Sequence, residues 1–265
     1  MLNMKYVNMY LGIEIECILN RNIHNNIRIG TYNNPIKLNK FFEVSKDGSI
    51  NIHYSNFSNP TDAEFISCIC KTKTKFKKMI KNFIEILSKN KEFKLNEVIN
   101  INSSCGLHLH LSLNNNEIFQ DKFSYEILEE ARNLFFKKLE ENKILSDDTK
   151  QKIKSNYYRT YSPKTNKRDW ENINYIQKLA EFNKRSECQN KGLEWRSFNL
   201  NGVKNWGEFE EGLLLGYEIA YFLFKKRTKG YKLKNKSINL NKRILKKLLK
   251  DNENKNKQIN LGENA

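Results

Sequence analysis

Ser103-Ser104-Cys105-Gly106-Leu107-His108-Leu109-His110-Leu111-Ser112 decides how the rest of the chain is read. From Leu107 to Leu113 the alternation is strict. Leu107, Leu109, Leu111 and Leu113 point one way, and His108, His110 and Ser112 the other. Period two with bulky apolar residues predicts a strand with one buried face. Its opposite face carries two imidazoles about 7 Å apart, given the rise per residue of a strand. Imidazole is both a metal ligand and a proton carrier near neutral pH. An isolated His-x-His more often decorates a solvated face. Three other segments of the same design argue for more.

Residues 9–19, Met-Tyr-Leu-Gly-Ile-Glu-Ile-Glu-Cys-Ile-Leu, predict a strand with Ile13, Ile15 and Cys17 on one face and Gly12, Glu14 and Glu16 on the other. Two carboxylates that close raise each other's pKa unless a cation lies between them. Residues 63–70, Ala-Glu-Phe-Ile-Ser-Cys-Ile-Cys, read as a buried strand opening on the carboxylate Glu64. Residues 192–199, Gly-Leu-Glu-Trp-Arg-Ser-Phe-Asn, predict a fourth, with Glu194 and Arg196 on one face. If these strands share a sheet, four Glu, two His and one Arg line a single surface. A buried, unpaired carboxylate is costly, and divalent cations resolve the conflict. Oxygen-rich ligands with one or two imidazoles suit Mg²⁺ or Mn²⁺ better than zinc. Two hard cations beside an arginine form a phosphoryl-transfer arrangement. The chain has no Gly-rich Walker loop, so a nucleotide would be held by metals on a sheet.

The remaining segments supply the scaffold. Residues 20–40 are polar and read as a long loop or a loosely paired hairpin. A strand at 41–45, the turn Lys46-Asp47-Gly48-Ser49 and a further strand at 49–54 predict a hairpin, with Asp47 as a turn residue rather than a ligand. Phe76, Met79, Ile80, Phe83, Ile84 and Leu87 recur at helical spacing, predicting an amphipathic helix from Thr72 to about Asn90 whose lysines form a solvated face. A short strand near 97–101 is expected, then a turn at Asn114-Asn115-Asn116 and a helix over 122–145. Residues 146–190 are polar, with Tyr157, Tyr158, Arg159 and Tyr161 before Pro163 and a helix expected over 170–182. Those interleaved Tyr and Arg residues read as loop packing ahead of base or phosphate binding. A nearly all-apolar helix over 207–224 should be buried, and a last helix is expected over 239–250, followed by disorder. The fold class is therefore α+β: a curved, largely antiparallel sheet with the site on its concave face and helices packed on the other.

Composition sets further bounds. Hydrophobic residues are 38% of the 265 and aromatics 12%, enough for a sizeable core, and the formal net charge is +17. Residues 225–265 hold 14 Lys/Arg against 3 acids, so +11 of that charge lies in this tail and +6 in residues 1–224. The expected organisation is a catalytic domain over 1–224 and a basic helix and tail over 225–265. Such a tail reads first as a solubilising terminus, and second as a contact for nucleic acid, a membrane surface or an acidic partner. The five cysteines are an odd number without a Cys-x-x-Cys pair and read as reduced thiols, which fits a cytoplasmic protein. No apolar run approaches 18 residues, and Glu14 and Glu16 interrupt the apolar N-terminal stretch, so neither a membrane span nor a signal peptide is expected.

Taken in order, Gly12-Ile13-Glu14-Ile15-Glu16, Cys105 to Ser112 and Leu193-Glu194-Trp195-Arg196-Ser197 resemble the motifs of the glutamine synthetase-like carboxylate–amine ligases, and most nearly the small amidoligases of that superfamily. The resemblance spans roughly residues 9–200. It implies a glutamine synthetase-like catalytic fold and ATP-dependent amide formation. A substrate carboxylate attacks the γ-phosphate, and an amine then displaces phosphate from the acyl phosphate. It further implies that Glu14, His108 and Glu194 hold one Mg²⁺ or Mn²⁺ and that Glu16 and Glu64 hold the other. His110 would lie near the ATP phosphates, and Arg196 would bind phosphate or the substrate carboxylate. A second phosphate-binding arginine is usual, with Arg185, Arg159 and Arg168 as candidates. The chain is much shorter than glutamine synthetase, and its basic tail has no counterpart in the family pattern. Two other readings stay open: a metal-dependent hydrolase or nuclease, and a basic nucleic-acid-binding module with a vestigial metal site. A Cys105 nucleophile beside His108 is disfavoured, because on a strand the two face opposite ways.

Overall fold

Residues 9–113, 124–157, 182–184 and 192–227 are described by the structure, a computed structural model. β1 (Met9–Asn20) is the central strand, pairing antiparallel with β4 (Pro60–Ser67) on one side and with β6 (Leu107–Leu113) on the other. Beyond β4 come β3 (Phe42–Ser45) and the short edge strand β2 (Ile36–Lys37). Beyond β6 come β8 (Leu193–Phe198) and β7 (Phe182–Lys184), giving the order β2-β3-β4-β1-β6-β8-β7. β5 (Ile99–Asn100) pairs with the far end of β1. The sheet is open, and its ladders are antiparallel. One irregularity matters later: the β6–β8 register runs Leu107 to Phe198 but Leu109 to Trp195, so a bulge gives β8 one residue more than β6.

Period-two alternation sends Leu11, Ile13, Ile15 and Cys17 of β1 to one face, where all four are buried. Leu109 and Leu111 of β6, Phe65 of β4 and Trp195 of β8 are buried too. The helices cover this face. In α1 (Lys73–Leu87), Phe83 sits 5.1 Å from both Phe42 and Phe65 and stacks on Phe209 of α5 (Trp206–Arg227). In α3 (Tyr125–Glu141), Phe135 meets Trp195 edge-on. Centroid spacings of 5–6 Å with tilted and edge geometries are those aromatic pairs prefer. Thr72, Ser124 and Ser146 cap α1, α3 and α4 (Asp147–Asn156) through their side-chain oxygens.

Several expectations change. The segment after Asp47-Gly48 does not return as a strand; residues Ile52–Tyr54 form a 3-10 turn, and β3 pairs with β4 instead. The chain leaves the sheet because Ile50 is buried against Ile18 and Cys105, while Asn51 N–H donates to Ser104 Oγ and its side chain accepts from His53 N–H. The expected strand over 97–101 is realised only as β5, Ile99–Asn100; residues 97 and 98 close a helical turn, α2 (Leu95–Val98), whose Glu97 carboxylate accepts the Lys94 N–H. The polar segment after residue 146 opens on α4, which composition alone concealed: only Thr149 and Ile153 of that helix are buried. Tyr157 is core packing, and its hydroxyl accepts from Trp195 Nε1 at 3.2 Å. The expected turn at 114–116 and helix at 239–250, together with Tyr158, Arg159, Tyr161, Arg168 and Arg185, lie outside the described residues; so does the helix expected over 170–182, except for its last residue, Phe182, which opens strand β7 instead. The tail beyond Arg227 lies outside the described residues as well. No helix among the described residues is long and apolar enough to cross a membrane.

Candidate metal centre

On the face away from the helices, three ladder registers bring the singled-out residues together. Glu14 lies opposite His108, Glu16 opposite Glu64, and His110 opposite Glu194. His108 is the hub. Its Nδ1 is 3.1 Å from Glu14 Oε2 and 3.7 Å from Glu194 Oε1, and its Nε2 is 3.3 Å from Glu16 Oε1. His110 Nε2 approaches Glu14 Oε2 at 2.9 Å, and Arg196 Nη1 donates to Glu194 Oε1 at 2.8 Å. Ser45 Oγ donates to Glu64 Oε2 at 3.3 Å.

These groups are deeply placed: Glu16, Glu64, His108 and Glu194 are each at most 6% exposed. Burial would raise the Glu14 carboxyl, but the two imidazoles beside it hold it well below the usual carboxylate range. Glu64 lacks such help. Burial first, and then the charges of Glu14, Asp47 and Glu16, push it up to about 7. Burial works against charging His108, yet Glu16 and Glu14 overcome it and raise its pKa. The neighbouring carboxylates thus favour the protonated ring over the neutral one.

The donor set fits divalent cations. Donor atoms of Glu14, His110 and Glu194 lie within 4.8 Å of one another, as do those of Glu14, Glu64 and His108, and those of Glu16, Asp47 and Glu64. His110 Nδ1 is buried without a hydrogen-bond partner among the described residues. The grouping differs from the division implied by the resemblance: His110, expected near phosphates, shares its group with Glu14 and Glu194, and His108 sits between the groups. Asp47, read from the sequence as a turn residue, is one, and it also lies beside two buried carboxylates. Its Oδ1 accepts the Ser49 N–H at 2.9 Å, and its carboxylate reaches Glu16 and Glu64. An Asp-Gly pair signals a turn whatever lies beneath it, so nothing local could have revealed those neighbours. Cys105 is no part of the centre, being fully buried beside Ile18 and Ile50.

A pocket of about 180 Å³ adjoins the centre, with Glu14 and His110 at one end and Tyr10, Ile66, Ser67 and Ser112 around it. Gly12 opens it by leaving the β1 position between Tyr10 and Glu14 without a side chain. A Cβ there would meet only His110 and Ser67 side-chain atoms at 3.9 Å, so the fold itself does not demand glycine. Gly192 is different, since its Cβ would come within 2.7 Å of the Leu111 carbonyl. No family model matches the chain, and no match to it is found among curated proteins.

Proposed function

We propose that the chain is an ATP- and Mg²⁺- or Mn²⁺-dependent carboxylate–amine ligase of the small amidoligase type, working through an acyl phosphate. One observation carries the reading. Glu-x-Glu, Glu64, His-x-His and Glu-x-Arg, far apart in sequence, meet on one sheet face in the motif order of that family. Glu14, His110 and Glu194 would hold one cation, and Glu16, Glu64 and Asp47 the other. Bound there, the cations would polarise phosphate oxygens and offset the charge developing at the γ-phosphate.

The chain's own residues do the rest. His108 Nδ1 and Nε2 keep Glu14 and Glu16 apart from each other, and the ring yields its proton as cations arrive, so metal affinity should fall at acid pH. Arg196, anchored through Nη1 to Glu194, turns a cation toward a phosphate or a substrate carboxylate. In the reaction a carboxylate oxygen bonds to the γ-phosphorus as ADP leaves. The amine nitrogen then bonds to the acyl carbon, phosphate leaves with the C–O electron pair, and the amine gives up a proton. The pocket beside Glu14 and His110 leaves room for a reactant next to the centre.

The test is ADP formation by the purified chain with Mg²⁺ and paired carboxylates and amines, including amino acids, polyamines and peptides. Release of ADP and phosphate that needs both partners is expected. Phosphodiester cleavage without ATP would replace the ligase with the hydrolase reading. Mn²⁺ binding followed by electron paramagnetic resonance, lost in Glu16→Gln, checks the centre independently of turnover.

A further inference from the structure

The exposed side of α1 is built unlike the other helix surfaces. Residues 71–94 carry nine lysines against two acids, Glu85 and Glu92, a net +7. Since residues 1–224 sum to +6, everything else in them sums to −1. The excess positive charge of this part of the chain therefore lies in one segment, and its lysines are exposed. Lys73 pairs with Glu218 and the Lys75 ammonium donates to the Ile69 carbonyl, whereas Lys77, Lys78 and Lys81 have no carboxylate partner among the described residues.

A solvated helix face has no need of such a run. Like charges three and four positions apart, as at Lys73, Lys77 and Lys81, or Lys78 and Lys81, destabilise a helix. α3 and α4 avoid that by alternating sign, with Glu129–Arg132, Lys137–Glu141 and Asp148–Lys152 as internal pairs. α1 keeps its self-repulsion. That repulsion is relieved when a polyanion lies along the helix. Lys73 to Lys81 span about 12 Å at the helical rise, the length over which one nucleic-acid strand presents three or four phosphates.

We propose that this lysine face of α1 binds the phosphate backbone of nucleic acid, without sequence preference and independently of the ligase reading. The helix's own aromatic residues, Phe76 and Phe83, are buried. They offer no platform for stacking bases, so contact is with backbone alone. Lysine, a compact point charge, suits phosphate contact without base readout. The same lack of an exposed apolar anchor on the helix favours a nucleic acid over an acidic protein, whose docking needs one.

The experiment uses the full chain and fluorescein-labelled 20-base-pair DNA of two unrelated sequences, with anisotropy titrations between 50 and 200 mM salt. Both sequences should bind equally, with affinity falling steeply as salt rises. The Lys77→Gln/Lys78→Gln/Lys81→Gln variant should bind about tenfold more weakly at 50 mM salt, with the log–log salt slope shallower by roughly 3. Lys137→Gln, which removes a paired lysine from α3, should leave both quantities unchanged, and circular dichroism should show the helix intact in every variant. Binding and slope unaltered in the triple variant would overturn the proposal, assigning any DNA affinity to other basic residues. It would equally be overturned if a glutamate-rich peptide of matching charge bound more tightly than the DNA.

Discussion

Glu208 and Glu64 are carboxylates of nearly equal burial, 4% and 6% exposed, in opposite circumstances. Glu208 accepts the Ser146 N–H at 2.9 Å and the Lys204 N–H at 2.8 Å, and Thr149 Oγ1 lies 2.9 Å away. Burial alone would raise its pKa, but those donors hold it below the ordinary value. Glu64 has one hydroxyl donor and three acidic neighbours, and is pushed up to about 7. A carboxylate that joins α4 to α5 is surrounded by donors. Glu64 is surrounded by its rivals, and that crowding separates the two carboxylates more clearly than burial does.

The contrast can be broken in several ways, beginning with the largest effect. Under the ligase reading, Glu14→Gln should lower ADP formation by roughly a hundredfold or more, since its carboxylate belongs to two of the donor groups. Full activity in that variant, measured at saturating Mg²⁺, would remove the centre from the chemistry. Glu64→Gln should stabilise the metal-free protein. The carboxyl's folded pKa lies above the unfolded one, so the stability it contributes is complete below pH 4.5 and is lost as pH rises through about 7. At pH 8 the amide should therefore stabilise by about 3–4 kcal/mol, at about 1.4 kcal/mol per pKa unit, and at pH 4 the gain should vanish. Glu208→Ala should do the reverse. It strands the Ser146 and Lys204 N–H groups and should cost about 2–4 kcal/mol in urea unfolding, from about 1–2 kcal/mol for each part-buried donor left unmatched. A destabilised Glu64→Gln at pH 8 would mean the two carboxylates are alike after all.

The smallest effect extends the comparison to a base. His24 is buried with Nε2 donating to the Leu87 carbonyl at 2.8 Å, and burial, then the charges of Lys89 and Arg21, lower its pKa. Its contribution is complete above pH 6.5 and is lost as pH falls below that value. His24→Gln, which keeps a donor for Leu87, should flatten the decline in thermal midpoint between pH 6.5 and 5.5. An unaltered decline would assign that titration elsewhere.

β1, β6 and β8 were legible because they obey period two with their charged groups on one face, and β4 because it reads as a buried apolar run opening on Glu64. Their pairing was not. Nothing in the order of the segments says that β1 lies between β4 and β6, which is what sets Glu16 against Glu64 and Glu14 against His108. α4 stayed hidden because only Thr149 and Ile153 of it are buried, too few to mark an apolar stripe in a polar segment, although Ser146 caps it locally. Asp47 was assigned its turn correctly and its buried neighbours not at all, because the partners that make it interesting come from two other strands.

The extra residue that β8 inserts opposite β6 gives the centre an arithmetic of its own. Upstream of it, His110 faces Glu194; downstream, Leu107 faces Phe198. A homologue one residue shorter between positions 195 and 198 would spell the same Glu and His-x-His signatures, yet pair its strands in a different phase and turn one partner away. Spacing inside the eighth strand therefore bears on the meeting of Glu194 with His110 as directly as the identity of either residue.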